Sequence, residues 1–357
     1  MARLVALDLP GGPSFVETLQ RVWDAGDAAL VLDQRLPHAA KQALAAQMRV
    51  GDEVEPGDAL VVATSGSTGT PKGVVLTHAA IAASAEATST RLGVTLGDAW
   101  LACLPLNHVG GLSVVTRALH TGTPLTVLPG FDAARVMAAG ATLVSLVATT
   151  LPRIDPARFR VIVLGGARPP ADRPANAVTT YGMTETGSGV VYDRRPLDGV
   201  EVRVVAGEIQ VRGPMLLRCY RDGRDPKTAD GWLPTGDLGS FTDGLLTVDG
   251  RADELIITGG ENVWPDPVEA VLRGVPGVID VGVAGTPDAE WGELVTAHVV
   301  GDVTLGTLRA AVKEVLPAFC APRLLVHHTA LPRTSLGKLQ RAQLRSTGGQ
   351  PAGRSGQ

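Results

Sequence analysis

"ALVVATSGSTGTPKGVVLTHAAIAASAEATSTRLG", residues 59–93, predicts a strand, a loop and a helix in that order. "ALVVAT" (59–64) is an unbroken apolar run of strand length. "THAAIAASAEATSTRLG" (77–93) reads as an Ala-rich helix with Thr77 as its cap and Gly93 as its stop. Between them, "TSGSTGTPKG" (64–73) packs hydroxyls and glycines around one lysine. A Walker loop needs Gly, four residues, Gly, Lys, then Ser or Thr. Here Pro71 precedes Lys72 and Gly73 follows it, so the loop is of another kind. Its composition still suits phosphate. Gly66, Gly69 and Gly73 let the backbone approach an anion closely. Thr64, Ser65, Ser67 and Thr68 supply hydroxyl donors, and Lys72 supplies a point charge. The plain alternative is a solvated Ser/Gly loop, which leaves the P-K-G directly after T-S-G-S-T-G unexplained.

Outward from that stretch, apolar bursts alternate with segments of helical period. "WLACLPL" (100–106), "PLTVLPG" (124–130), "ATLVSLVAT" (141–149) and "FRVIVLGG" (159–166) read as strands, and "GGLSVVTRALHTG" (110–122) as a helix. This rhythm implies an α/β fold with mostly parallel strands. After residue 197 the texture changes. "VEVRVVAGEIQVRG" (200–213) alternates with period two around a turn at Ala206-Gly207, and "DGLLTVDGRADELIITGG" (243–260) carries two Asp-Gly turn signals. The expectation is a large N-terminal α/β domain with a β-rich section (1–250) and a small α+β C-terminal domain (251–345). The boundary falls near "DGRAD" (249–253). The low-complexity tail 346–357 is expected to be disordered. In "GGENVWPDPVEAVLRG", Asp266 is expected to cap a helix, with Pro267 first in it, Glu269 completing a capping box and Gly274 ending it.

The bulk numbers narrow the classes. A length of 357 residues allows two or three domains, and 45% apolar residues suffice for a sizeable core. Net charge is −4 with no block of one sign, which argues against nucleic acid as the partner. Cys103, Cys219 and Cys320 are far apart and form no C-x-x-C pair, so neither a disulfide framework nor a zinc site is expected. The N-terminal "MARLVALDLPGG" is too short and too broken for a signal-peptide core. No apolar run reaches membrane-spanning length. A soluble, cytoplasmic protein is expected.

Further motifs follow the loop in a fixed order: "GGARPP" (165–170), "YGMTE" (181–185), "LPTGDLG" (233–239), "GRADELIITGGENVWPDPVE" (250–269) and "LPRTSLGKLQR" (331–341). Together they resemble the adenylate-forming superfamily of acyl-CoA synthetases, peptide-synthetase adenylation domains and luciferases, over roughly residues 58–345. The resemblance implies ATP, Mg2+ and coenzyme A as ligands. It implies that Thr64, Ser65, Gly66, Ser67, Thr68, Gly69 and Lys72 cradle phosphate. Gly165, Gly166, Ala167 and Arg168 would line the adenine, and Thr180, Tyr181 and Gly182 would continue that wall, with Tyr181 stacking on the base. Thr184 would touch the α-phosphate and Glu185 would hold magnesium, a hard cation that prefers oxygen ligands. Asp237 would accept from the ribose hydroxyls, assisted by Arg251. Asp253 would be the hinge of a turning C-terminal domain, Gly259 and Gly260 the loop beside the pantetheine channel, and Lys338 the cation at the reacting carboxylate. Each has a plainer reading: core aromatic, helix cap, turn residue or solvated lysine.

For the acid, "LPLNHVGGLSVVTRAL" (104–119) carries His108 and Arg117. Periodicity alone reads His108 equally well as a packed core histidine and Arg117 as a surface cation. Within the superfamily this stretch, "YGMTETGSGVVYDRRPLDGV" and "ITGGENVWPDPVEAVL" are similar to the o-succinylbenzoate–CoA ligases of menaquinone biosynthesis in their short actinobacterial form. That resemblance implies a dicarboxylic keto acid. Arg117 would meet its aromatic carboxylate, and His108 and Gly182 would stand at the acyl site. A CoA ligase for another aryl or short-chain acid, or a non-catalytic acyl or nucleotide binder, are the alternatives. Members commonly carry far more sequence before the phosphate loop, so part of the N-terminal subdomain is expected to be reduced. Ala63 and Leu233-Pro234 depart from the usual aromatic and aromatic-Arg. Oligomeric state stays open, a homodimer included.

Overall fold

The computed structural model describes residues 1–64, 71–166, 172–333 and 339–347. The opening stretch forms the strand Asp58–Thr64, a second strand Lys72–Thr77 and the helix His78–Leu92. The helix begins and ends as the sequence indicates. The Thr77 hydroxyl accepts the Ala80 amide at 3.1 Å, and Gly93 closes the last turn with φ 57°. Such a cap contributes ~1 kcal/mol. The strand Lys72–Thr77 is absent from the sequence reading, which passes from loop to helix. It pairs antiparallel with Asp58–Thr64 and sets Thr64 opposite Lys72.

The chain divides into two compact units. The first comprises Met1–Arg203, Gln210–Pro234 and Phe241–Leu246, and the second Val204–Ile209, Thr235–Ser240 and Thr247–Gln357. In the first unit one sheet orders Leu4–Leu7, Ala28–Val31, Asp58–Thr64, Lys72–Thr77 and Cys219–Tyr220. Its first three strands are parallel and the rest antiparallel. A larger sheet runs Leu125–Val127, Trp100–Ala102, Leu143–Val147, Val161–Gly165, Ala177–Gly182, Gly189–Tyr192 and Arg195–Pro196. Its first five strands are parallel and the last two turn back antiparallel. The strand expected over 100–106 stops at Ala102, ahead of Pro105, which has no amide to give a ladder. The helices His78–Leu92 and Val109–Thr121 pack on each other, and Leu101, Val144, Leu146, Ile162 and Leu164 fill the layer beneath the sheet.

The strands Glu201–Val205, Glu208–Arg212, Leu233–Thr242 and Leu245–Arg251 form a sheet whose residues are divided between the units. The turn at Ala206-Gly207 has φ 50° and 85°, the primed geometry that suits a tight hairpin. Asp243-Gly244 also turns, with φ 53° and 74°. Asp249-Gly250 does not, which corrects the second Asp-Gly signal: both lie inside Leu245–Arg251. A Cβ at Gly250 would stand 2.7 Å from the Trp264 ring, so this glycine allows close packing rather than a bend.

The second unit is built on Val278–Asp288 and Gly292–Gly301, flanked by Ile256–Thr258, Glu261–Val263 and Leu324–His327. Val281, Val283, Val295, Ala297 and Val299 meet Val268, Leu272 and Leu308 of the helices Pro265–Leu272 and Leu305–Val315. The expected capping box is also corrected. The helix begins at Pro265 after Trp264, with no side-chain cap bond. Glu269 is 2% exposed and accepts the Val283 amide at 2.8 Å instead. The helix Arg341–Thr347 takes in the first two residues of the expected tail, and 348–357 lie outside the described residues. Among the described residues no helix is long and apolar enough to cross a membrane, and the three cysteines are buried and free.

Candidate active site

In the first unit several of the motif residues converge. Gly165 ends the strand Val161–Gly165, and Tyr181 and Gly182 end the parallel strand beside it. Ligands in parallel α/β sheets bind at such carboxyl ends. Gly165 faces the Thr180 hydroxyl, which donates to the Leu164 carbonyl at 3.2 Å and would lie 2.9 Å from any Cβ there. Gly166 takes φ 82°. A Cβ at Gly182 would stand 2.2 Å from the Ser188 carbonyl oxygen, so the reversal after Tyr181 closes only on glycine. Thr184 and Glu185 follow in the short 3-10 turn Thr184–Thr186. Thr186 locks that turn by accepting the Met183 amide at 2.9 Å and donating to the Ser188 carbonyl at 2.6 Å.

Tyr220, which the sequence reading misses, joins Glu185 to Lys72. Its hydroxyl donates to Glu185 Oε1 at 2.9 Å, and Lys72 Nζ lies 5.5 Å from its ring centroid. Burial pushes the phenol pKa up, and the Glu185 charge pushes it further, so it remains a donor. The backbone reinforces the link: the Leu217 amide donates to the Glu185 carbonyl at 2.8 Å, and the Arg221 amide to the Gly73 carbonyl at 2.7 Å. Glu185 Oε2 makes no hydrogen bond among the described residues. Glu185 is half-buried, and a carboxylate with one oxygen left over fits a hard divalent ion. Ser65, Gly66, Ser67, Thr68, Gly69, Ala167 and Arg168 lie outside the described residues.

Arg117 is buried at 2% exposure on the helix Val109–Thr121. Its Nη2 donates to the Ser188 hydroxyl at 3.2 Å, which donates on to Ser113 Oγ at 3.3 Å. Its guanidinium carbon lies 4.8 Å from the Trp100 ring centroid. Nε and Nη1 are buried with no hydrogen-bond partner. Burial pulls the Arg117 pKa down, yet a guanidinium stays charged. A crevice lined by Ile81, Ser84, Leu112, Ser113, Thr116 and Arg117 opens beside it, with about 10 Å³ of free space, near the room one water needs. This excludes the surface-cation reading of Arg117. His108 stands at the N-cap of the same helix with extended backbone and no capping bond from its ring. Burial pushes its pKa down, against the pull of Asp33.

In the second unit Asp237 is 8% exposed and accepts Arg251 Nη1 at 3.3 Å. Arg251 also donates to the Thr235 carbonyl at 3.0 Å and to Asp253 at 3.2 Å. Burial lowers the Arg251 pKa, but Asp237 and Asp253 outweigh it and leave the pKa raised. Asp253 sits in the 3-10 turn Ala252–Glu254. Gly259 and Gly260 form the tip of the hairpin between Ile256–Thr258 and Glu261–Val263, with φ 60° and 84°. Gly259 also lies against Trp291, whose ring would be 2.8 Å from a Cβ. Lys338 lies outside the described residues. Three positions on, Arg341 binds Glu254 at 3.0 Å, Asp266 at 2.5 Å and Glu269 at 2.9 Å. Burial raises the Glu269 pKa, and Arg341 opposes that shift.

Two family models match: AMP-binding enzyme over residues 13–221 and AMP-binding enzyme C-terminal domain over 267–338. A probable 2-succinylbenzoate–CoA ligase of Mycobacterium tuberculosis is 42% identical over 377 aligned positions, covering 95% of this chain and 97% of the relative. The 2-succinylbenzoate–CoA ligase of Bacillus cytotoxicus is 35% identical, over 80% of this chain and 69% of its own. Among solved structures, the o-succinylbenzoate CoA synthetase (MenE) of Bacillus subtilis in complex with the acyl-adenylate intermediate OSB-AMP superposes with a TM-score of 0.88 at 27% identity, over 96% of this chain and 88% of that one. The same enzyme with ATP and magnesium ion gives 0.85 at 28%, over 96% and 89%.

Proposed function

This chain belongs to the AMP-binding enzyme family, and from that premise we propose that it is an ATP-dependent 2-succinylbenzoate–CoA ligase acting in menaquinone formation. The observation that carries the choice of acid is Arg117, a buried guanidinium with two unpartnered nitrogens beside Ser188. A site of that kind asks for an anion, and 2-succinylbenzoate (the same acid as o-succinylbenzoate) brings a second carboxylate that the reaction does not consume. Monoacids leave the charge unmatched, and a desolvated unpaired group rejects them strongly.

The reaction has two steps. The succinyl carboxylate attacks the α-phosphorus of ATP in line and pyrophosphate leaves. Coenzyme A then attacks the acyl carbonyl through sulfur, its thiol proton passes to solvent, and AMP leaves. Lys72 and Lys338 place positive charge where negative charge gathers, which lowers the barrier. Glu185 would hold magnesium, which would supply positive charge to offset that of the phosphates. Tyr181, Thr180 and Gly165–Gly166 take the adenine, Thr184 the α-phosphate, and Asp237 with Arg251 the ribose. His108 and Gly182 border the acid. Asp253 is assigned as the hinge between the steps, and Gly259–Gly260 as the loop along the pantetheine arm. Domains of 1–250 and 251–345, and a cytoplasmic location, complete the reading.

The test is ATP- and CoA-dependent thioester formation with 2-succinylbenzoate, benzoate, succinate and a fatty acid. Reaction with 2-succinylbenzoate alone is expected. Reaction with another acid alone overturns the substrate, and no pyrophosphate release with any acid favours a non-catalytic binder.

A further inference from the structure

Lys72 and Glu185 carry opposite charges and meet the same side chain, yet among the described residues they form no ion pair with each other. Tyr220 stands between their roles. Its hydroxyl holds Glu185 Oε1 at 2.9 Å, and its ring face carries the Lys72 ammonium at 5.5 Å. The ring is itself fixed. Tyr220 is 8% exposed, its strand pairs with Lys72–Thr77 through Tyr220↔Val74, and the Arg224 guanidinium covers the ring at 4.9 Å.

We propose that Tyr220 is a positioning residue that keeps the metal-binding carboxylate and the phosphate-binding ammonium apart, each turned to its own ligand. Without a spacer the two charges neutralise each other, since an ammonium and a carboxylate within reach pair readily. Glu185 then loses its hold on the cation and Lys72 its freedom to meet phosphate. A hydroxyl donor to one carboxylate oxygen fixes the group while leaving the other oxygen to the metal. The ring offers the lysine an attraction weak enough to yield to phosphate. The inference rests on the reading of Glu185 and Lys72 given above.

Two variants separate the parts. Tyr220→Phe keeps the ring and removes the hydroxyl, and Tyr220→Leu removes both. The readout is calorimetric ATP binding across a Mg2+ titration, with no acid present, so that a wrong substrate assignment leaves it untouched. Tyr220→Phe is expected to raise the Mg2+ needed for half-maximal ATP binding about tenfold, the scale of one charge-assisted hydrogen bond. Tyr220→Leu is expected also to weaken ATP binding at saturating Mg2+. A Tyr220→Phe curve that overlays the wild type overturns the proposal, even if Tyr220→Leu fails to fold. ATP binding that needs no Mg2+ in the wild type overturns instead the assignment of Glu185.

Discussion

Replacing Arg117 by methionine removes a charge that the fold itself leaves short of partners. A guanidinium has five N–H donors. In Arg117, Nη2 reaches Ser188 at 3.2 Å, while Nε and Nη1 have no partner. A carboxylate that displaced the water-sized space there and met the Nη1–Nη2 end would gain two charge-assisted hydrogen bonds at about 1.5–3 kcal/mol each, less the cost of its own desolvation. A net loss of about 3 kcal/mol is expected in the variant, or roughly a hundredfold in kcat/KM for 2-succinylbenzoate. The matching keto acid without the ring carboxylate is expected to react with Arg117→Met at least as well as with wild type. Stability moves the other way from an ordinary core substitution. Exchanging a buried unmatched charge for an apolar side chain of similar length is often neutral or stabilising, so the unfolding temperature is expected to hold or rise. The assay is thioester formation with both acids, alongside thermal unfolding. Equal losses with the two acids, together with a lower unfolding temperature, would show that Arg117 supports the fold and refute its role in recognition.

Lys338→Ala is expected to abolish pyrophosphate release while a synthetic acyl-adenylate is still converted to thioester; loss of both steps contradicts the assigned role. His298 is 0% exposed, and burial, with His328 at 2.9 Å, pushes its pKa down to about 4. In the unfolded chain the ring titrates near 6.5. The stability tied to its neutral form is therefore present above about pH 6.5 and lost as pH falls toward 4. The unfolding temperature should drop across that window and His298→Gln should flatten the drop, whereas an unchanged slope would assign the effect to other groups.

The sequence was most legible where local chemistry alone decides the outcome. Thr77 and Gly93 bound their helix because a hydroxyl cap and a left-handed glycine act on adjacent backbone. The same holds for the turn at Ala206-Gly207. Where distant partners decide, local signals misled. Glu269 has the spacing of a capping box, but its carboxylate turns inward to the Val283 amide and Arg341. Gly250 follows an aspartate as a turn glycine does, yet it is there to admit Trp264. The strand Lys72–Thr77 escaped notice because its pairing is with the strand before the loop. Within the site, Arg117 could be named but its burial could not. Tyr220 sat outside every quoted motif and Arg341 closed one without a role of its own, and only the geometry brings the one to Glu185 and the other to three carboxylates.

The carboxylate assigned to Arg117 is not the one that reacts, so it survives into the thioester. On that proposal the guanidinium would grip the product as it grips the substrate, and binding shared by both lowers KM without raising kcat. Selectivity and departure are thus tied to one side chain. Trp100, stacked at 4.8 Å, gives the cation a partial counter-charge when the carboxylate leaves, so the vacated pocket holds a charge that is already partly matched. Under the proposed assignment the aromatic ring beside the arginine would ease turnover, while the arginine would set which acid enters.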